Sequence, residues 1–185
     1  MLDIEKDIKE YLDKVDDTTY FNSQKVLNAF IKEEVSENDF NITTGYGYAD
    51  NGRDKIERIY ADIFKCEDAL VRNQFISGSH ALTVCLFALL RPNDILLSIS
   101  GKPYDTLEEV IGIRESKGSL KEYGITYAQV DLLEDGSFDF EGIKDAINDK
   151  TKLIHIQRSK GYATRPTLSV DVIGEAIAFV KEINK

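Results

Sequence analysis

The chain has 185 residues, 42% apolar and 30% charged, and a formal net charge of −10. That length fits one domain with a real core, and the balance is that of a soluble globular protein. The acidic excess is spread along the chain with no basic patch, which argues against a nucleic-acid or anionic-membrane surface.

No apolar run approaches the roughly 18 residues of a membrane span. Met1-Leu2-Asp3-Ile4-Glu5 lacks the basic-then-apolar order of a secretory signal. The expectation is a soluble cytoplasmic protein.

Residues 3–34 predict helix, with Ile4, Ile8, Tyr11, Leu12 and Val15 and then Val26, Leu27, Phe30 and Ile31 at helical spacing. Asp16-Asp17-Thr18-Thr19 predicts a break between two pieces. Such an arm packs either on a partner subunit or on its own domain. Residues 36–53 predict a polar loop ending in Thr44-Gly45-Tyr46-Gly47-Tyr48-Ala49-Asp50-Asn51-Gly52-Arg53, which is not a GxGxxG fingerprint. A helix follows from Asp54 to about Lys65.

Strand and helix then alternate. The predicted order is strand Ala69–Asn73, helix Ser79–Leu90, strand Asp94–Ser100 and helix Asp105–Gly112, the last opened by an Asp105/Glu108 or Thr106/Glu109 capping pair. Strand Ile125–Leu132, helix Asp139–Asn148, strand Lys152–Gln157 and helix Ser169–Asn184 complete it. This pattern predicts a parallel sheet of about four strands with helices on its faces. The apolar last helix predicts a crossover that would return with another strand, as in the first part of a larger domain.

In open α/β sheets, ligands collect beyond the carboxyl ends of the strands. Four loops are predicted there: Ser77–His80, Gly101–Tyr104, Leu132–Ser137 and Arg158–Pro166. Ser77-Gly78-Ser79-His80 opens a helix, where free N–H groups and the dipole favour an anion such as phosphate. The plain alternative is an N-cap by Ser77 or Ser79 that binds nothing. Tyr104, after Pro103, is placed to stack on a planar ligand or to be a half-buried surface ring. Arg158 and Arg165, with Ser159, form either a carboxylate or phosphate clamp or a solvated basic loop. Arg53, with Tyr46 and Tyr48, is a further phosphate candidate, or a helix-start arginine paired with Asp50 or Asp54. No nucleophile elbow or Walker motif occurs, and His155 in Leu153-Ile154-His155-Ile156 reads as a satisfied core histidine. Cys66 and Cys85 lack CxxC spacing, and no Cys/His cluster gives a metal signature.

Taken in order, these segments resemble a known family. Gly45-Tyr-Gly-Tyr-Ala-Asp-Asn-Gly-Arg-Asp54, Gln74-Phe-Ile-Ser-Gly-Ser-His-Ala-Leu82, Leu89-Leu-Arg-Pro-Asn-Asp94, Gly101-Lys-Pro-Tyr-Asp-Thr-Leu107 and Arg158-Ser-Lys-Gly-Tyr162 with Arg165-Pro166 are similar to the methionine gamma-lyase-like, or aluminium resistance, proteins. These are pyridoxal-phosphate enzymes related to cystathionine lyases, and the likeness is to their N-terminal half. It implies an α/β fold of the fold type I pyridoxal-phosphate-dependent transferase kind, truncated. Residues 1–45 would form a helical arm and 46–185 the first, incomplete part of the cofactor-binding domain.

The resemblance further implies pyridoxal 5′-phosphate with its phosphate on Ser77, Gly78, Ser79 and His80 and its ring on Tyr104. Tyr46 or Tyr48, with Arg53, would reach the phosphate of a neighbouring subunit in a homo-oligomer. Arg158, Ser159 and Arg165 would give weaker substrate or phosphate contacts. The substrate would be a small sulfur amino acid, with neither nucleic acid nor membrane as partner. Relatives commonly carry Thr at the position of Ser79 and Arg at that of Lys160. The lysine that holds the cofactor, and the aspartate facing its pyridine nitrogen, lie in the family beyond the matching stretch, so no catalytic residue is assigned. A non-catalytic interaction or regulatory domain that keeps only the scaffold is the alternative. Borohydride reduction after addition of pyridoxal phosphate should therefore leave no stoichiometric pyridoxyl-lysine by mass spectrometry; an adduct on Lys160 would contradict the assignment.

Overall fold

The computed structural model describes residues 6, 8–48 and 50–183. The chain divides into two compact units, Met1–Phe75 and Ile76–Lys185.

In the first unit, helix α1 (Lys9–Lys32) runs unbroken where a break was expected at residues 16–19. The polar side chains there bond back along their own helix instead of ending it. Thr18 Oγ1 donates to the Lys14 carbonyl at 2.9 Å, Thr19 Oγ1 to Val15 at 2.8 Å and Asn22 Nδ2 to Thr18 at 2.9 Å. Ile4 of the predicted helix lies outside the described residues. A 3-10 turn, Glu37–Phe40, follows. Helix α2 (Asn51–Phe64) starts three residues earlier than predicted because Asp50 caps it, its carboxylate accepting the Arg53 N–H at 3.3 Å. Ala29 and Ile59 are the buried apolar positions of these helices. Ion pairs flank them, Arg58–Glu33 at 2.7 Å and Lys55–Asp39 at 2.8 Å. The Lys55 ammonium and the Ser36 N–H hold the Asp39 carboxyl below its ordinary range.

The strand expected at Ala69–Asn73 does not form, so among the described residues three strands stand where about four were predicted. The backbone of this segment turns to a side chain rather than a neighbouring strand. Val71 N–H donates to the Glu57 carboxylate at 2.9 Å, and that carboxylate also pairs with Arg72.

The second unit alternates helix and strand: α3 (Gly78–Leu89), β1 (Ile95–Ser98), α4 (Asp105–Ile111), β2 (Thr126–Gln129), α5 (Phe140–Ala146), β3 (Thr151–His155) and α6 (Val170–Ile183). Asn184, the predicted end of the last helix, lies outside the described residues. The sheet is parallel in the order β2-β1-β3. In the register, Leu96 lies between Tyr127 and Leu153, and Ser98 between Gln129 and His155.

Alternation along β1 sends side chains to two cores. On one face Leu96 packs with Leu86 and Leu90 at the end of α3 and Leu107 and Ile111 of α4. On the other, Leu97 and Ile99 pack with Phe138, Ile143, Leu168 and Ala176, under α5 and α6. Beside β3, at the sheet margin, Ile154, Ile156, Ile173, Ile177 and Val180 line a shallow apolar groove with Lys181.

The capping expected at α4 is not found. Neither capping pair forms at α4, because Tyr104 is its cap residue and makes no side-chain cap bond. Glu108 instead pairs with Lys102 at 2.8 Å. Gly112 ends the helix in the left-handed region at φ +92°, with Ser119 and Lys121 where a Cβ would stand, so only glycine fits without strain.

Leu97 is fully buried at the sheet centre, whereas Leu82 on α3 is half exposed. Leu97→Ala should lower the unfolding free energy by about 3 kcal/mol, and Leu82→Ala by under about 1 kcal/mol. Urea denaturation compares the two.

Candidate functional site

Three loops beyond the carboxyl ends of the strands meet around one cavity of about 520 Å³. Gly101 and Lys102 come from the loop after β1, Asp131 to Glu134 from that after β2, and Ala163 to Pro166 from that after β3. The chain passes from β1 to this rim through Ser100, and from β3 through Gln157.

Gln157 joins the two loops. Its N–H donates to Ser100 Oγ at 2.8 Å, and its Oε1 accepts the Tyr104 N–H at 2.8 Å. Its Nε2 donates to the Ser159 carbonyl at 3.1 Å, and its own carbonyl accepts Arg165 Nη2 at 2.8 Å. Arg165 also reaches the Ser159 carbonyl at 3.2 Å. Tyr104, Ser159 and Arg165 are thus held in one network, and Arg158 stands exposed beside it. Gly161 lies against the Tyr104 ring: its φ is +54°, and a Cβ there would collide with Tyr104 Cε2. The half-buried Tyr104 is therefore held through its backbone on one side and limited at its ring edge on the other.

Ser77–His80 forms the start of α3 rather than part of that network. Ser77 is extended, and its Oγ accepts the His80 N–H at 3.1 Å. The Gly78 and Ser79 N–H groups open the first turn, where a helix offers no internal acceptor. A Cβ built on Gly78 meets nothing within 4 Å. The corner is open, carries the positive end of the α3 dipole, and has room for an anion.

Beneath the Gly101 turn lies a polar group within the sheet. Ser98 is fully buried, and its Oγ donates to the Gly101 carbonyl at 2.6 Å. The hydroxyl's one proton is then committed, so His155 Nδ1, 3.2 Å away, carries a proton and donates to Ser98. Burial pushes the His155 pKa below the ordinary 6.5, so the ring is held neutral. Burial likewise pushes the Tyr127 phenol up to about 12. Its hydroxyl donates to Gln129 Oε1 at 2.8 Å, and Gln129 Nε2 donates to Asp131 at 2.9 Å.

In the first unit, Arg53 lines a separate cavity of about 600 Å³ with Thr43, Thr44, Asp50, Arg72 and Asn73. Its guanidinium pairs with neither Asp50 nor Asp54. Nη1 donates to the Gly45 carbonyl at 3.1 Å, and the buried Nε has no hydrogen-bond partner among the described residues. Tyr46 and Tyr48 are both exposed.

Sequence reasoning passed over Gln157, Ser98 and Ser100. A signal was present: Ser98 and Ser100 are spaced two apart after an Ile-Leu-Leu run, and His155 and Gln157 two apart after Leu-Ile. Polar residues at period two at the ends of buried parallel strands mark one face as something other than plain core.

A parallel sheet covered on both faces, with loops converging beyond its strand ends, makes this unit an α/β fold, the architecture in which ligand sites lie at the sheet's carboxyl edge. The sequence profile of the methionine gamma-lyase family matches residues 1–185, and the chain belongs to that family. It is 50% identical over its whole length to the uncharacterized protein YnbB of Bacillus subtilis (strain 168), covering 44% of that protein. A solved structure from Listeria monocytogenes, named a "putative cystathionine beta-lyase involved in aluminum resistance", is similar with a TM-score of 0.94 and 52% identity. That match covers 98% of this chain and 45% of the other. A "carbon-sulfur lyase involved in aluminum resistance" from Clostridium novyi NT matches with a TM-score of 0.91 and 46% identity, over 97% of this chain and 43% of its own. The chain spans less than half the length of these relatives. Among the described residues no helix is long and apolar enough to cross a membrane.

The neutral His155 has a consequence for stability. Its folded pKa lies below the ordinary 6.5, so the unfolded chain binds the proton more tightly. The stabilisation is complete above about pH 6.5 and is lost as pH falls below it. Urea unfolding at about pH 7.5, 6.5 and 5.5 should show His155→Asn losing less stability than the unsubstituted chain as pH drops; parallel losses would contradict this.

Proposed function

We propose that this chain supplies the cofactor-phosphate and ring-facing part of a pyridoxal-phosphate-dependent carbon–sulfur lyase acting on a small sulfur amino acid. The reading includes a fold type I arrangement, a homo-oligomer, a cytoplasmic setting, and no nucleic-acid or membrane partner. The observation that carries it is the open corner at α3. There the Gly78 and Ser79 N–H groups open the first turn and a Cβ built on Gly78 would meet nothing within 4 Å, in a chain similar to solved structures named as carbon–sulfur and cystathionine lyases.

The residues present suit the cofactor. A phosphate at Ser77–His80 would take up the two first-turn N–H donors and the dipole. Tyr104 would offer its ring to the pyridine face. The buried, unpartnered Nε of Arg53 is what remains when a guanidinium made for an oxyanion lacks one, and with Tyr46 and Tyr48 it would serve the phosphate of a neighbouring subunit. Arg165, Ser159 and Arg158 are offered for the substrate carboxylate. When bound, the pyridoxal ring supplies the electron sink that acidifies the amino acid's α-carbon and permits C–S cleavage. No lysine of this chain is assigned to it, so the reading is of binding without turnover.

A scaffold-only interaction domain is the second reading, favoured by the exposed apolar side chains of α1, among them Tyr11, Phe21, Leu27 and Ile31. Titration decides between them, followed by the ellipticity that an achiral chromophore gains in a chiral site. Pyridoxal 5′-phosphate should bind saturably, be displaced by inorganic phosphate, and bind about tenfold more weakly to Ser79→Asp, whose carboxylate favours the helix start but repels the phosphate. Absence of saturable binding by the unsubstituted chain overturns the lyase reading.

A further inference from the structure

We propose that Gln157 is the positioning residue for Tyr104, fixing where its ring is presented beyond the sheet. The inference rests on the reading of Tyr104 as the residue that faces the cofactor ring.

Tyr104 is the residue before α4, directly after the Gly101-Lys102-Pro103 turn, and its side chain makes no cap bond to the helix. Pro103 has no N–H, so it brings the turn no backbone donor of its own. The Tyr104 N–H is instead satisfied from another strand, by Gln157 Oε1 at 2.8 Å. The amide cannot turn over without loss: Oε1 faces a donor and Nε2 faces the Ser159 carbonyl at 3.1 Å. Nor can the residue shift along the strand, because its N–H is bonded to Ser100 Oγ and its carbonyl to Arg165 Nη2. Gln157, just past β3, therefore links the end of that strand to the cap residue of α4.

The same segment limits the ring. Gly161, four residues on, has the space of a Cβ taken up by the Tyr104 ring. The backbone pin and the ring-edge stop both come from residues 157–161, so the Tyr104 ring follows the loop after β3. That loop also holds Ser159 and Arg165. A ligand touching both Tyr104 and Arg165 would meet groups fixed relative to each other through one side chain.

The test compares Gln157→Met, which keeps length but loses the amide, with Gln157→Glu, which keeps an acceptor for the Tyr104 N–H. Amide hydrogen exchange at Tyr104 and induced ellipticity of bound pyridoxal 5′-phosphate are read on the 185-residue chain. Gln157→Met should speed Tyr104 exchange at least about tenfold and abolish most of the ellipticity, with the far-ultraviolet spectrum unchanged. Gln157→Glu should restore both, a rescue that loss of packing alone would not show. Should Gln157→Met fail to fold, Gln157→Asn, one methylene short of the contact, takes its place. Binding by the unsubstituted chain with both signals unchanged in the variant overturns this inference and leaves the cofactor reading intact. No binding by the unsubstituted chain overturns both.

Discussion

The burial of β1 on both faces is the constraint from which the second unit follows. Leu96 and Leu97 point to opposite cores and are almost wholly removed from water, which demands helices above and below and parallel strands on each side. Once those are in place, all three strands end at the same rim. The loops that leave them have nowhere to go but past one another, and the cavity among them is a by-product of this packing before it is anything chemical.

In the central strand the buried polar residues stand at the carboxyl end. Ser98 at the end of β1 and Ser100 just past it are bonded to His155 at the end of β3 and to the backbone N–H of Gln157 just past it, each pair two residues apart. Unpaired, such groups would be costly in a buried strand. Paired, they tie the rim together: Ser98 holds the Gly101 carbonyl, and Gln157 holds the Tyr104 N–H. The rim is tied together by side chains at the strand ends beneath it and by bonds within its own loops.

The order of helices and strands from residue 78 onward was readable because apolar periodicity and turn residues agreed at every step. Where reading failed, a side chain took over a backbone role. Glu57 captured the Val71 N–H and removed a strand. Thr18 and Thr19 returned their hydroxyls to their own helix and removed a break. Lys102 took Glu108 from the capping box expected of α4. Glu57 and Val71 stand 14 residues apart, beyond the local spacing that such a pattern covers. In the candidate site, the loops bearing Tyr104, Ser159 and Arg165 were expected beyond strand ends, and that is where they lie. Gln157 escaped notice because a glutamine after a strand is ordinary until its four bonds are seen together. The likeness to methionine gamma-lyases was carried by short segments whose order, rather than any one member, was specific.

The three-stranded sheet also has two margins. With β1 in the centre, β2 and β3 each turn one row of N–H and C=O groups outward, and the β3 margin adjoins the groove formed by Ile154, Ile156, Ile173, Ile177 and Val180. An open strand edge beside apolar surface is the geometry through which sheets of separate molecules join. The net charge of −10 sets mutual repulsion against that tendency, and salt weakens repulsion while leaving apolar attraction in place. The same sheet order that gathers the three loops at one rim thus leaves, at one margin, an apolar attraction whose opposing charge repulsion is screened by salt.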